Sequence, residues 1–213
     1  GHPFVLDMRD AVAVDEAVQF AASLGDLNVV VANASALVAG AIEDTSMKQY
    51  DLVHAVNARG AFALARSSAP HLREGRGGHF LSVSPPLTYG SLRPVMRGRT
   101  AHIASKIGMS LVAIGLASEK HPKLSSNIVW PNTLIETAAT KVHAMGTPEN
   151  WRTPDIMGDA VAAFVSKVQP GAFSGTYMTD QDILRRFCAI TDFSSYRCIP
   201  DSEPVPALKL LGC

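Results

Sequence analysis

The 213-residue chain has no net charge, because 19 Lys and Arg residues balance 19 Asp and Glu residues, and it contains no run of basic residues. A general binder of nucleic acids or of anionic membranes would need such an excess or such a run, so we expect neither partner. No apolar run approaches the roughly 18–20 residues that cross a bilayer, and no signal peptide stands at the start. The sequence therefore predicts no membrane span.

Cysteine is scarce. The chain has Cys188, Cys198 and Cys213, an odd number near the C-terminus without the spacing of metal ligands. This pattern favours free thiols in a reducing compartment over a disulfide framework, so we expect a cytoplasmic protein. The seven histidines form no H-E-x-x-H or H-x-H motif and no Cys/His pair. We therefore expect no metal site.

Hydrophobic residues make up 47% of the chain and charged residues 18%, which suits one folded domain with a real core. Short apolar strands alternate with amphipathic helices, a pattern typical of a parallel sheet covered by helices on both faces. We predict helices at about residues 12–24, 45–72, 100–120 and 153–168, and strands at residues 4–6, 27–32, 79–84, 127–130 and 175–179.

The residues that follow the predicted strands are the first candidates for a functional site. In parallel sheets of this kind, ligands bind beyond the carboxyl ends of the strands. The side chains at those ends are Asp7, Asn33, Ser84 and the pair Pro131 and Asn132. We expect them to face one cleft.

These positions resemble motifs of the short-chain dehydrogenase/reductase family. Residues 31–35 are similar to the family's N-N-A-G turn, and Asn57 lies where the family has an Asn within a helix. Ser84 matches its catalytic Ser, and Lys106 matches the Lys of its Y-x-x-x-K motif. The resemblance covers about residues 5–184. It includes a loop at 130–137 similar to P-G-x-x-x-T, and stretches at 84–87, 106–110 and 173–184 similar to the hydroxysteroid-dehydrogenase-like branch.

The resemblance implies a truncated Rossmann-like, doubly wound α/β fold. We expect a single domain over residues 1–213, a mainly parallel sheet of about five strands and a C-terminal tail at 180–213. The family's opening strand, its T-G-x-x-x-G-x-G turn and the next βα unit have no counterpart, since the chain begins where the third strand is expected. Residues 4–6 would then pair directly with strand 27–32, or a partner would cover the gap, or the chain is a fragment.

The missing turn bears on the cofactor. In the family it brings backbone and a helix N-terminus to the pyrophosphate of a dinucleotide. None of the 16 glycines forms such a turn, so we expect no cofactor, with NAD(P) as the alternative. Asn33 and Asp7 are cofactor-binding candidates only if a dinucleotide binds. For Asp7, a role as a turn or cap residue is favoured.

The family's catalytic Tyr is replaced by His102, one helical turn before Lys106. In relatives the Tyr passes a proton to or from the substrate oxygen, while the Lys lowers its pKa and holds the nicotinamide ribose. An imidazole can also pass a proton near neutral pH, and the two side chains share a helix face. The positive charge of Lys106 favours the neutral imidazole. We therefore predict catalytic roles for His102 and Lys106.

Ser84 and Asn57 complete the predicted catalytic set. Ser84 would donate a hydrogen bond to a substrate oxygen, or else cap the turn before Pro85. Asn57 would hold a water in a proton relay, or else satisfy a distortion of its helix.

The loops around the predicted cleft supply the substrate-binding candidates. Pro131, Asn132, Glu136 and His143 follow a strand where relatives carry a substrate lid, although surface charge is the alternative for the last two. Tyr89 would be a lid contact or a replacement phenol. Scattered arginines are interpreted as solvated surface: Arg9, Arg59, Arg93, Arg97 and Arg99.

Three functions remain open. The first is cofactor-independent acid–base chemistry, of isomerase, cyclase or lyase type, on a hydrophobic carbonyl-bearing small molecule. The second is an NAD(P)-dependent oxidoreductase seen as a truncated chain, and the third is a non-catalytic protein that acts by oligomerisation. The resemblance also implies a homodimer or homotetramer through helices about 45–72 and 100–120. Small residues there would allow close packing: Ala58, Ala61, Ala63, Ala65, Ala104 and Gly108.

Overall fold

The computed structural model describes residues 1–210, with only the backbone described at residues 89, 91 and 94. Its main sheet has four parallel strands in the order β1, β2, β3, β6. In chain order the strands are β1 (Val29–Ala32), β2 (Gly78–Val83), β3 (Leu124–Trp130), β4 (Leu134–Ile135), β5 (Trp151–Arg152) and β6 (Tyr177–Thr179). Strands β4 and β5 form a separate two-stranded sheet. The predicted α/β class with a mainly parallel sheet is therefore confirmed.

Helices lie on both faces of the main sheet. They are α1 (Ala11–Ser23), α2 (Met47–Val53), α3 (Gly60–Leu72), α4 (Tyr89–Met96), α5 (Thr100–Ser118), α6 (Ala138–Val142), α7 (Asp155–Lys167), α8 (Asp180–Cys188) and α9 (Ala207–Leu210). Short 3₁₀ turns occupy Pro148–Asn150 and Ser194–Tyr196.

Side-chain caps set several of the helix starts. Asp10 accepts hydrogen bonds from the first free N–H groups of α1, and Ser46 forms a capping box with Gln49 at the start of α2. Thr179 and Asp182 cap α8 in the same reciprocal way. These caps satisfy backbone donors that have no partner within the helix.

The predicted helix at 45–72 is divided by a π-helical turn at His54–Arg59, which lies between α2 and α3. Asn57 lies in this turn and is fully buried. Its carboxamide bonds the backbone of Ala36, accepting from the N–H at 2.8 Å and donating to the C=O at 2.9 Å. The wider turn thus carries a side chain that fastens the loop after β1.

Two hydrophobic clusters hold the layers together. One packs α3 and α5 on one face of the sheet, around Phe80 and Met109. The other packs α7 and α8 on the opposite face, around Phe164 and Ile183. Helix α5 has the length and apolar composition of a membrane span, but its inner half is buried in the first cluster. It is a core helix of this fold.

The predicted strand at residues 4–6 was wrong, and the sheet accordingly has four strands instead of five. A strand needs a neighbour to satisfy its backbone groups, and residues 4–6 find none. Val5 is 98% exposed, while Phe4 packs its ring on Phe20 of α1 at a centroid distance of 5.4 Å. The outer edge of β1 stays unpaired among the described residues.

The chain after Asp180 folds back over the loops that follow β3. Ala207 donates its backbone N–H to the C=O of Asn132 at 2.7 Å. The backbones of Arg152 and Arg197 form an isolated antiparallel β-bridge. Phe193 is buried beside the second cluster. The tail is therefore part of the packed structure, and α9 reaches the edge of the cavity described next.

Candidate active site

A cavity of about 500 Å³ lies at the carboxyl ends of β1, β2 and β3, beneath α5 and the loops after β3. Most of its wall is apolar, with side chains such as Val95, Ile103, Leu134, Ile135 and Met157. Its volume and its few polar groups are typical of a site for a small molecule. Its position is the one that the strand-end argument predicts.

His102 projects from α5 into this cavity and is only 8% exposed. Its Nδ1 lies 3.0 Å from the C=O of Ala36. Because a carbonyl oxygen only accepts hydrogen bonds, this contact places the proton on Nδ1 and leaves a lone pair on Nε2. Burial, then the charges of Lys106 and Arg99, lower the pKa of His102 to about 4. The ring is thus neutral at pH 7.

Lys106 lies one turn further along α5 and is 5% exposed. Its Nζ donates a hydrogen bond to the C=O of Val83 at 2.6 Å, which anchors the ammonium at the carboxyl end of β2. Burial lowers the pKa of Lys106 to about 8, so it remains mostly charged at pH 7. Its other N–H groups have no partner in the described part of the chain.

Asn57 reinforces the placement of His102. The C=O of Ala36 accepts from both Asn57 and His102, and the Asn57 carboxamide also donates to the Ser105 hydroxyl at 2.8 Å. Ser105 in turn donates to the backbone C=O of His102 at 2.6 Å. The predicted relay residue is therefore a buried link between the π-helical turn, the loop after β1 and α5.

The structure does not bring Ser84 to the described cavity wall. Its side chain is fully buried, and its hydroxyl lies 2.9 Å from that of Ser82. Contact between Ser84 and a substrate stays a prediction.

The substrate-binding candidates separate into two groups. Pro131 lines the cavity. Asn132 lies outside the described wall, and its C=O accepts a hydrogen bond from the N–H of Ala207 in α9. Glu136 is partly exposed, outside the described wall, and pairs with Lys141 at 2.7 Å. His143 is also off the wall but close enough for its charge to lower the pKa of His102.

The remaining predicted positions concern a lid and a dinucleotide. The side chain of Tyr89 lies outside the described part of the structure. Asn33 lines the cavity at the end of β1. Asp7 is exposed and lies outside the described cavity wall. Its carboxylate pairs with Arg9, and its C=O accepts from the N–H of Asp10. Its cofactor-binding role stays a prediction.

Several polar residues of the wall were not among the predicted site residues. Arg99 was wrongly assigned to the solvated surface, since it lines the cavity and is partly buried. Trp130 Nε1 and Thr133 Oγ1 are buried without a hydrogen-bond partner among the described residues, and both residues line the cavity. The position of Arg99 three residues before His102 was the available indication, because such residues share a helix face.

The parallel sheet with helices on both faces is a doubly wound α/β fold, and Lys106 of α5 lies at the carboxyl ends of its strands. A family model described as Enoyl-(Acyl carrier protein) reductase matches residues 2–168. The chain belongs to the short-chain dehydrogenase/reductase family.

Curated relatives indicate the branch of the family to which the chain is similar. The chain is 34% identical over 215 residues to hydroxysteroid dehydrogenase-like protein 2 of Danio rerio, covering 99% of this chain and 50% of that protein. It spans about half the length of the curated relatives it matches.

Among solved structures, a protein described as a dehydrogenase from Xanthomonas campestris has a TM-score of 0.84 and 35% identity, with 94% of this chain and 73% of that chain covered. A short chain dehydrogenase from Burkholderia cenocepacia, solved in complex with NADP, has a TM-score of 0.64 and 27% identity over 81% of this chain and 72% of that chain.

Proposed function

We propose that the cavity binds a hydrophobic carbonyl-bearing small molecule and that His102 and Lys106 transfer a proton on it without a nicotinamide cofactor. The observation that carries this proposal is the hydrogen bond from His102 Nδ1 to Ala36, which leaves Nε2 free as a proton acceptor. The reaction class is acid–base chemistry of isomerase, cyclase or lyase type. An isomerisation serves as the example of where the proton and the electron pair go.

In that step, His102 Nε2 takes a proton from the carbon next to the carbonyl, and the electron pair of the broken C–H bond moves onto the carbonyl oxygen. The ammonium of Lys106 stabilises the resulting enolate. An imidazolium whose pKa is about 4 is a strong acid, so it returns the proton readily. When the substrate carries a C=C bond conjugated with the enolate, the proton goes to the far carbon of that bond and the double bond moves next to the carbonyl. No electrons leave the substrate, and none are needed from elsewhere.

The described residues fit only part of a dinucleotide. Lys106 and Asn33 line the cavity and would hold the nicotinamide end if a dinucleotide bound. No glycine-rich turn at a helix N-terminus lies beside β1 among residues 1–210, so nothing described cradles a pyrophosphate.

The second candidate is an NAD(P)-dependent oxidoreductase. It is favoured by membership of the family and by the relative from Burkholderia cenocepacia, which was solved with NADP. In that case His102 would exchange a proton with a substrate hydroxyl. The two candidates differ in whether turnover requires the dinucleotide.

Proton exchange in D₂O separates the candidates. A panel of apolar ketones is incubated with the 213-residue chain without cofactor, and NMR follows the loss of protons next to the carbonyl. We expect exchange that falls by about 10²–10⁴-fold in His102→Ala, since a positioned base contributes that much. His2→Ala, which changes an exposed histidine, serves as the control.

Exchange that is unchanged in His102→Ala would contradict the proposed role of that side chain. Turnover that appears only with NAD(P)(H) would favour the oxidoreductase. Biological activity that survives both His102→Ala and Lys106→Ala would favour the non-catalytic alternative.

We also propose a homodimer, packed through α3 and α5. Phe62 and Leu111 are 61% and 56% exposed on these two helices and flank one groove. Most of the small residues invoked for close packing lie within the chain instead: a Cβ on Gly108 would come within 2.5 Å of the Cβ of Ala58. Leu111→Glu should therefore yield monomers in light scattering, whereas exposed Val12→Glu on α1 should leave the dimer intact. A monomeric unaltered protein would contradict this assembly.

A further inference from the structure

The cavity wall has two charged side chains, Arg99 and Lys106, and both are cations on either side of the neutral His102. Arg99, His102 and Lys106 follow one another at intervals of three and four residues, so they share one face of α5 and its N-cap. All three line the cavity, and its described wall contains no Asp or Glu. The cavity therefore presents positive charge that its own wall does not balance.

Two carboxylates lie near the cavity but outside its described wall. Glu136 pairs with Lys141. Asp180 is fully buried, and its Oδ1 accepts from the backbone N–H groups of Asn132 and Gln181. Neither Arg99 nor Lys106 forms an ion pair within residues 1–210.

The terminal N–H groups of the Arg99 guanidinium are available to bind a ligand. Its Nε donates to the C=O of Val95 at 3.2 Å, and this is its one hydrogen bond in the described part of the chain. The terminal N–H groups have a geometry that matches the two oxygens of a carboxylate or a phosphate. Because buried cations without a counter-charge are costly, an anion at this position would relieve that cost.

We propose that the cavity binds an amphiphilic oxyanion, whose carboxylate or phosphate lies between Arg99 and Lys106 and whose apolar body packs on the rest of the wall. This inference rests on the proposed function and specifies its substrate class. The apolar side of the site is formed by residues such as Leu134, Met145 and Met157. A neutral molecule with the same apolar body would gain only that packing.

Isothermal titration calorimetry with octanoate, octyl phosphate, octanol and inorganic phosphate tests the proposal on the full chain. We expect octanoate or octyl phosphate to bind at least about 10-fold more tightly than octanol, since a charge-assisted hydrogen bond contributes about 1.5–3 kcal/mol. The tighter of the two anions identifies the headgroup. Octanol binding as tightly as both anions would overturn the proposal, as would inorganic phosphate binding as tightly as octyl phosphate.

Variants locate the anion. Arg99→Gln should weaken binding of the preferred anion about 10-fold or more and leave octanol binding unchanged, which also shows that the cavity is folded. Arg97→Gln, at an exposed arginine two residues away, is the matched control and should bind like the unaltered protein. Equal affinities of the two variants for the anion would overturn the assignment of Arg99.

His102→Ala distinguishes this inference from the proposed function. That variant should retain anion binding while it loses proton exchange. Loss of the anion preference with exchange intact would refute the oxyanion alone. Exchange unaffected by His102→Ala, with the anion preference intact, would refute the proton-transfer role alone.

Discussion

Replacing Asn57 by alanine should lower the free energy of unfolding by about 3 kcal/mol. Asn57 is fully buried, and its carboxamide makes hydrogen bonds to both backbone groups of Ala36 and to the Ser105 hydroxyl. Each such bond contributes about 1 kcal/mol net, and the partners left unpaired add to the loss. The comparison is Asn28→Ala, which removes one bond, to the C=O of Gly77, and should cost about 1 kcal/mol.

Urea unfolding measures the free energy of unfolding of both variants. Their midpoints can be compared directly when the slope of this free energy against urea concentration is unchanged. A second readout follows from the shared acceptor: without Asn57, the loop that carries Ala36 is released and the His102 ring loses its fixed orientation. An Asn57→Ala cost no larger than that of Asn28→Ala would refute the inference that this amide fastens the loop to the helix.

Three further variants test the packing and charges of the fold. Lys106→Met should raise the pKa of His102 from about 4, because it removes the nearby charge but not the burial, and NMR titration checks this. Burial lowers the pKa of His79 below its usual 6.5, so the folded state binds fewer protons than the unfolded state. The free energy of unfolding should therefore fall as the pH drops below 6.5. In His79→Leu, denaturation curves at several pH values should show a weaker dependence of stability on pH. Gly108→Ala should cost about 1–3 kcal/mol because its Cβ would collide with the π-helical turn, whereas Gly158→Ala, in open space, should not destabilise.

Much of the fold followed from local patterns. The apolar stretches of β2 and β3 are buried on both faces of the sheet, and the β-branched run of β1 is buried on one face, so their hydrophobicity was sufficient evidence. Residues 4–6 have the same composition but no strand beside them. Strand formation there depends on a neighbour that the local sequence does not specify.

The site was predictable where one helix carries the groups. The separation of His102 and Lys106 by one turn already implied a shared face. Arg99 has a helical spacing from His102, but it is the N-cap of α5, so its direction also depends on the turn before the helix. There Gly98 adopts a φ of 65° and its C=O accepts from the N–H of Gly40. Ser84 was expected at the cleft, and its hydroxyl lies next to that of Ser82, two residues earlier on the same side of the chain.

The most direct test of the central claim is a pH titration of ¹⁵N-labelled histidine by NMR, with His102 assigned by its absence in His102→Gln. We expect a neutral ring with the proton on Nδ1, a free lone pair on Nε2 and a pKa of about 4. A proton on Nε2, or a pKa close to the ordinary value of 6.5, would contradict the role of His102 as the proton acceptor of this cavity.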